Sequence, residues 1–122
     1  PTGCDGRIED ASLRPPELGG EESWRRACAP PVAELCQAIE PRYHIFGSAN
    51  LFYQRPPFSG PRQGHVCRCI GLGQVGGTSK QRKWLHALAL SPMALMRRED
   101  LVRLPADATA SPFSGGQKRP AE

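Results

Sequence analysis

Apolar positions recur along this chain first with helical spacing and then with period two. Val32, Leu35, Cys36 and Ile39 stand at i, i+3, i+4 and i+7, which predicts a short helix with one apolar stripe, ended by Pro41. Upstream, residues 21–29 have helical composition, with Trp24 and Cys28 four apart, until Pro30 and Pro31 close that helix or restart it. Aromatic and β-branched runs at 43–46 and 51–53 suit two strands, or a strand and an extended segment, around a tight turn at 47–50. Three prolines and Gly60 make 55–62 a loop. Residues 66–75 form the next expected strand, with Val66, Arg68, Ile70 and Leu72 on one face and Cys67, Cys69, Gly71 and Gly73 on the other. A glycine-rich turn follows at 76–80. Trp84, His86, Leu88 and Leu90 then alternate with Leu85, Ala87 and Ala89, predicting a strand that is apolar on both faces and covered on each. Ser91-Pro92 ends it, and one helical turn is expected around 98–102. Residues 1–20 read as a connector loop, 21–113 as the folded body and 114–122 as a disordered tail.

Composition narrows this picture. With 13 Gly and 13 Pro among 122 residues, much of the chain is unsuited to helix interiors or central strands, so a loop-rich body is expected. The chain begins with Pro1 and carries no charged-then-apolar leader, which reads as a fragment of a longer product. No apolar run approaches the roughly 20 residues that a membrane-spanning helix needs, so no membrane partner is expected. Charge is segregated: residues 1–40 hold eight acidic side chains against four basic ones, and residues 41–122 hold twelve basic against four acidic. An anionic partner belongs on the second part. Five cysteines, an odd number without a C-x-x-C pair, read as reduced thiols.

Three patterns invite chemistry. Gly71-Leu72-Gly73-Gln74-Val75-Gly76 fits G-x-G-x-x-G, a fingerprint that binds a dinucleotide only when a helix starts directly after it. Here Gly77, Thr78 and Ser79 continue the loop, and the ribose-binding acid is missing. The glycines read instead as a bent strand end. His44, His65 and His86 form no H-x-H or D-x-H pair of the kind that a metal hydrolase gathers. Cys67 and Cys69 share a strand face, and read as small buried hydrophobes before metal ligands.

The runs Pro41-Arg42-Tyr43-His44, Tyr53-Gln54-Arg55-Pro56-Pro57-Phe58, Arg68-Cys69-Ile70-Gly71-Leu72-Gly73-Gln74-Val75-Gly76, Lys83-Trp84-Leu85-His86-Ala87, Pro92-Met93 and Pro105-Ala106-Asp107-Ala108-Thr109 occur jointly and in order. Over residues 32–113 they resemble the end of the N-terminal domain of the CwfJ-type splicing-factor family, the debranching-enzyme-associated group. The resemblance implies an α/β fold, the C-terminal part of a metallophosphoesterase-like sandwich with a short helix and mainly antiparallel strands. It also implies a nuclear protein whose partners are the lariat-debranching enzyme and late spliceosome components, and which assists intron lariat turnover. Matching the debranching-enzyme run S-A-H-L-H onto this chain puts Ser48 and Asn50 where two metal-binding imidazoles would fall. A hydroxyl and a carboxamide replace them poorly, so a non-catalytic module without a metal or other cofactor is expected. The alternative is an active metal-dependent phosphodiesterase or nuclease with ligands supplied upstream. For contact with RNA phosphates or a partner, the expected residues are Arg42, His44 and Arg55 at the rim of the former active site and Lys80, Arg82 and Lys83 in the basic loop.

Overall fold

The computed structural model describes Glu22, Arg26 and residues 28–47 and 50–113. Helix α1 spans Pro30–Ile39, strand β1 Tyr43–Phe46, strand β2 Tyr53–Ser59, strand β3 Val66–Gly71 and helix α2 Arg98–Val102. Two 3₁₀ turns, Lys80–Arg82 and Met93–Leu95, lie between β3 and α2. Glu22 and Arg26 sit on helical backbone and form an i, i+4 ion pair. The expected connector at 1–20 and tail at 114–122 lie outside the described residues.

Pro30 and Pro31 restart the chain as a helix because the first turn of α1 has no use for their missing N–H groups, and their fixed φ suits it. At the other end Glu40 takes the left-handed conformation, φ 50°, and its N–H bonds to the Cys36 carbonyl at 2.9 Å. Glycine is the ordinary residue at such a cap. Glu40 holds the place through its side chain, which is buried. Its Oε1 accepts the Arg62 N–H and its Oε2 the Gln63 N–H, each at 2.9 Å, while its carbonyl lies 2.6 Å from His65 Nε2. Arg62 closes the clamp from outside by donating to the carbonyls of Gln37 and Ala38. The end of α1 is thereby tied to the β2–β3 turn.

The sheet is mixed, in the order β1-β3-β2. Central β3 pairs in parallel with β1, Tyr43 against Arg68 through Phe46 against Gly71, and antiparallel with β2, Tyr53 against Gly71 through Ser59 against Val66. The mainly antiparallel sheet expected from the resemblance is therefore half parallel, because the chain crosses from β1 to β2 before entering the gap between them. The loop expected at 55–62 is also corrected. Strand β2 runs through Pro56 and Pro57, tolerated because it is an edge strand and its register slips between Arg55 and Phe58. Onto that irregularity the late segment latches: the Thr109 N–H bonds to the Pro57 carbonyl at 2.8 Å, and Phe113 meets Phe58 edge-on with ring centroids 5.9 Å apart.

Phe58, Cys67 and Cys69 make the buried centre, with Phe46 and Phe113 packed around them. Cys36, Cys67 and Cys69 are free thiols, whereas Cys28 is disulfide-bonded, against the expectation of reduced thiols throughout. The stripe on α1 is covered only in part. Leu35 is 57% and Ile39 59% exposed, and Ile45 on edge strand β1 is 54% exposed. The strand expected at 84–90 is absent. These residues enter no ladder, and Leu85, Leu88 and Leu90 face solvent.

Candidate nucleic-acid interface

The parallel pair β1 and β3 ends on one side of the sheet at Phe46 and Gly71, and antiparallel β2 begins there at Tyr53. The carboxyl ends of parallel strands, with the loops that leave them, are where α/β sheets carry their sites. At this end the sequence puts Asn50, Phe52 and the glycine-rich run 71–77.

Those glycines explain themselves by what lies against them. A Cβ on Gly73 would run into the carbonyl group of Arg82, and one on Gly77 would come within 2.6 Å of the same oxygen. Gly76, at φ 91°, turns the chain. The run thus lets the 3₁₀ turn Lys80–Arg82 lie directly on the strand end, where no crossover helix follows and no dinucleotide cradle forms. Two main-chain bonds fix the turn: Gly73 N–H to the Lys83 carbonyl and Phe52 N–H to the Gln81 carbonyl, both 2.8 Å. Asn50 supports it from below. Its backbone is left-handed, φ 47°, and its Oδ1 accepts the Gln74 N–H at 2.8 Å, so the carboxamide is engaged in holding the loop after β3. Ser48 lies outside the described residues.

Lys80, Arg82 and Lys83 are all exposed, and none forms an ion pair with a described residue. The turn sits in a stretch, residues 41–98, that contains no Asp or Glu at all. Aromatic and amide groups adjoin the cations. Lys83 Nζ stands 4.8 Å from the centre of the Phe52 ring and donates to His86 Nδ1 at 2.9 Å. The Phe52 and His86 rings lie 5.3 Å apart, and Gln54 Nε2 is 3.4 Å from His86 Nε2. Trp84 follows directly, 38% exposed. Sequence reasoning missed Phe52, His86 and Trp84 as part of this surface because it assigned Trp84 and His86 to a covered strand. The available signal was the direct adjacency of Lys83 and Trp84 beyond a glycine-rich turn.

The other expected contact residues lie elsewhere. Arg42 precedes β1, at the far end of the strand from the basic turn, and donates to the Ser91 carbonyl at 2.7 Å. Arg55 is only 7% exposed. Its guanidinium lies 4.8 Å over the Phe58 ring and reaches the Pro56 carbonyl at 3.2 Å, so it is a packing residue with no surface to offer a phosphate. His44 points into a small cleft between α1 and the sheet, with Nδ1 3.5 Å from Cys36 Sγ. The thiols there are shifted in different directions. Its hydrogen bond to Cys67, then burial, pushes Cys69 far up; burial, then the neighbouring Cys69, pushes Cys36 up; and the hydrogen bond from Cys69 lowers Cys67. Thiols raised in this way, as Cys36 and Cys69 are, are poor nucleophiles. Among the described residues no group of three or more His, Cys, Asp or Glu is arranged to hold a metal ion, and no helix is long and apolar enough to cross a membrane.

No protein-family model matches the chain. Curated relatives do. It is 44% identical over 84 residues to zinc finger CCCH domain-containing protein 59 of Oryza sativa subsp. japonica, an overlap of 69% of this chain and 14% of the relative. Against zinc finger CCCH domain-containing protein 64 of Arabidopsis thaliana the figures are 43% over 83 residues, 68% and 14%. Against CWF19-like protein 1 of Homo sapiens they are 31% over 99 residues, 77% and 18%. The chain spans between 14% and 20% of the length of the relatives it matches. Fold and site together define a small α/β module with a three-stranded mixed sheet and a basic, aromatic strand end. The chain belongs to the Cwf19/CwfJ-type family, as its similarity to CWF19-like protein 1 from mammals, frog, fly and nematode shows.

Proposed function

We propose that this chain is the closing part of a metallophosphoesterase-like sandwich with no catalytic role, in a splicing-related nuclear protein that assists the lariat-debranching enzyme in intron lariat turnover. Within it, the turn Lys80–Arg82 with Lys83 holds RNA by its phosphates. The names of the CWF19-like relatives support the splicing role. The open edge of β1, with Ile45 exposed on it and Leu35 and Ile39 exposed on α1, supports a larger sandwich, since apolar surface of this kind calls for covering elements. Asn50 supports the non-catalytic reading: a carboxamide is a poor replacement for a metal-binding imidazole, and here its oxygen is engaged with Gln74.

The observation that carries the RNA reading is the turn itself. Three cations that form no ion pair with a described residue sit on a turn whose main chain is bonded to Gly73 and Phe52 at the strand end. A turn whose backbone is already fixed loses little loop freedom on binding, and phosphate contacts of this sort hold any RNA sequence. Arg42 and Arg55 are occupied within the fold, so the proposal rests on residues 80, 82 and 83. The test is equilibrium binding of an RNA oligonucleotide to the intact protein and to its Lys80→Ala, Arg82→Ala, Lys83→Ala triple variant at low salt. The expected result is a loss of about ten-fold or more for the variant. Equal binding would remove the RNA reading.

A further inference from the structure

Beside the basic turn an open groove is lined by Phe52, Ser79, Lys80, Lys83, Trp84 and Leu85. Two cations, Lys80 and Lys83, share the groove with the partly exposed indole of Trp84, 38% of whose surface is open. Phosphate neutralisation alone needs no aromatic surface. From this juxtaposition we propose that the groove takes an unpaired RNA nucleotide, its base stacked on Trp84 and its phosphate on Lys80 and Lys83. This rests on the RNA reading above and specifies its substrate as single-stranded.

The physical argument is one of access. In an A-form duplex the bases stay stacked on one another, and recognition falls on phosphates and 2′-hydroxyls; a flat side chain finds a base face only where the strand is unpaired. Sequence-tolerant single-strand binding combines a positive groove with aromatic platforms, and the groove here has both elements within one six-residue stretch, 79–84. An apolar peptide would meet Trp84 and Leu85 but gain nothing from the cations. The absence of Asp and Glu across residues 41–98 leaves a field that favours a polyanion. Lys83, held between the Phe52 ring and His86, is a groove cation whose position is already fixed.

The test compares a fluorescent ten-nucleotide uridine RNA, alone and paired to its complement, on the intact protein and on Trp84→Ala, Trp84→Phe and the triple cation variant. Trp84→Ala should weaken single-strand binding about ten-fold, with Trp84→Phe restoring most of it and duplex binding unchanged. A thermal melt equal to that of the unaltered protein guards against a folding defect, and Trp84→Phe carries the comparison if the alanine variant melts early. If both Trp84 variants bind the single strand as tightly as the unaltered protein while the triple variant is weak, stacking is refuted and phosphate binding stands. If the triple variant is also unimpaired, the RNA reading falls and this inference with it.

Discussion

Strand β3 and the segment that follows the basic turn are similarly apolar, but they differ in what touches them. Val66–Gly71 has a strand on each side, Phe58 clustered with its Cys67 and Cys69, and four of its six residues buried. Residues 84–90 have no strand on either side, and Trp84, Leu85, Leu88 and Leu90 meet solvent. The packed region is a self-consistent unit, clamped at its β2–β3 turn by Glu40 and latched along the outer edge of β2 by Thr109. The exposed segment is held by side-chain contacts at His86 and by main-chain carbonyls at its two ends, that of Lys83 and that of Ser91, the latter accepting from Arg42. Apolar surface of equal quality is structural in one place and available for contact in the other.

The sharpest way to break this contrast is to cut one side chain from each region. Phe58→Ala removes the ring on which Cys67, Cys69, Arg55 and Phe113 converge, and is expected to cost about 3–5 kcal/mol in denaturant unfolding. Leu85→Ala, at a side chain 70% exposed, is expected to stay within about 0.5 kcal/mol. Comparable losses at both sites would mean that residues 84–90 are as integral as β3. Next in size is the clamp. Glu40→Ala leaves the N–H groups of Arg62 and Gln63 without their acceptor and is expected to cost about 1–3 kcal/mol. Hydrogen exchange at those two amides should rise first, and unchanged protection would show that the carboxylate is not what pins the turn. Asn50→Ala is a smaller change, about 1 kcal/mol for a left-handed residue that also caps the Gln74 amide. Beside that small loss its signature is a loosened basic turn, read as faster hydrogen exchange at the Gln74 amide.

The smallest expected effect is on pH dependence. Burial and the Cys67 hydrogen bond raise Cys36 and Cys69 in the folded state relative to the unfolded chain. Their contribution is complete below the ordinary thiol range and declines as pH rises above it, because the unfolded state releases those protons first. Cys67, lowered by accepting from Cys69, acts in the opposite sense and softens the slope. Unfolding midpoints for the unaltered protein and for Cys36→Ser, followed from pH 7 to about pH 10, should therefore converge as alkalinity increases. A parallel pair of curves would contradict the assignment of Cys36.

Much of this fold was legible in the sequence wherever local chemistry and tertiary pairing agreed. The i, i+3, i+4, i+7 stripe marked α1, the aromatic run marked β1, and the alternation of Val66, Arg68 and Ile70 marked β3. Pro56 and Pro57 argued for a loop because proline cannot donate to a ladder. Only knowledge that β2 is an edge strand with a slipped register makes them compatible with a strand. The alternation at 84–90 was as clean as that of β3, but alternation reports a capacity for pairing, and the pairing itself depends on which edges are free. For the site, Lys80, Arg82 and Lys83 were visible as charge. Arg42 and Arg55 carried the same charge, and nothing in sequence distance revealed that one serves a backbone carbonyl and the other a buried ring. Phe52 and Trp84, thirty-two positions apart, meet the cations only because the glycines at 73 and 77 admit the Arg82 carbonyl.

The central claim is that residues 80, 82 and 83 act as a preorganised phosphate-binding turn. Its most direct test is the salt dependence of RNA affinity for the intact protein and the triple alanine variant. The account predicts that the slope of log affinity against log salt flattens by about two in the variant, as expected for three lost phosphate contacts on a single strand. Parallel slopes would contradict it.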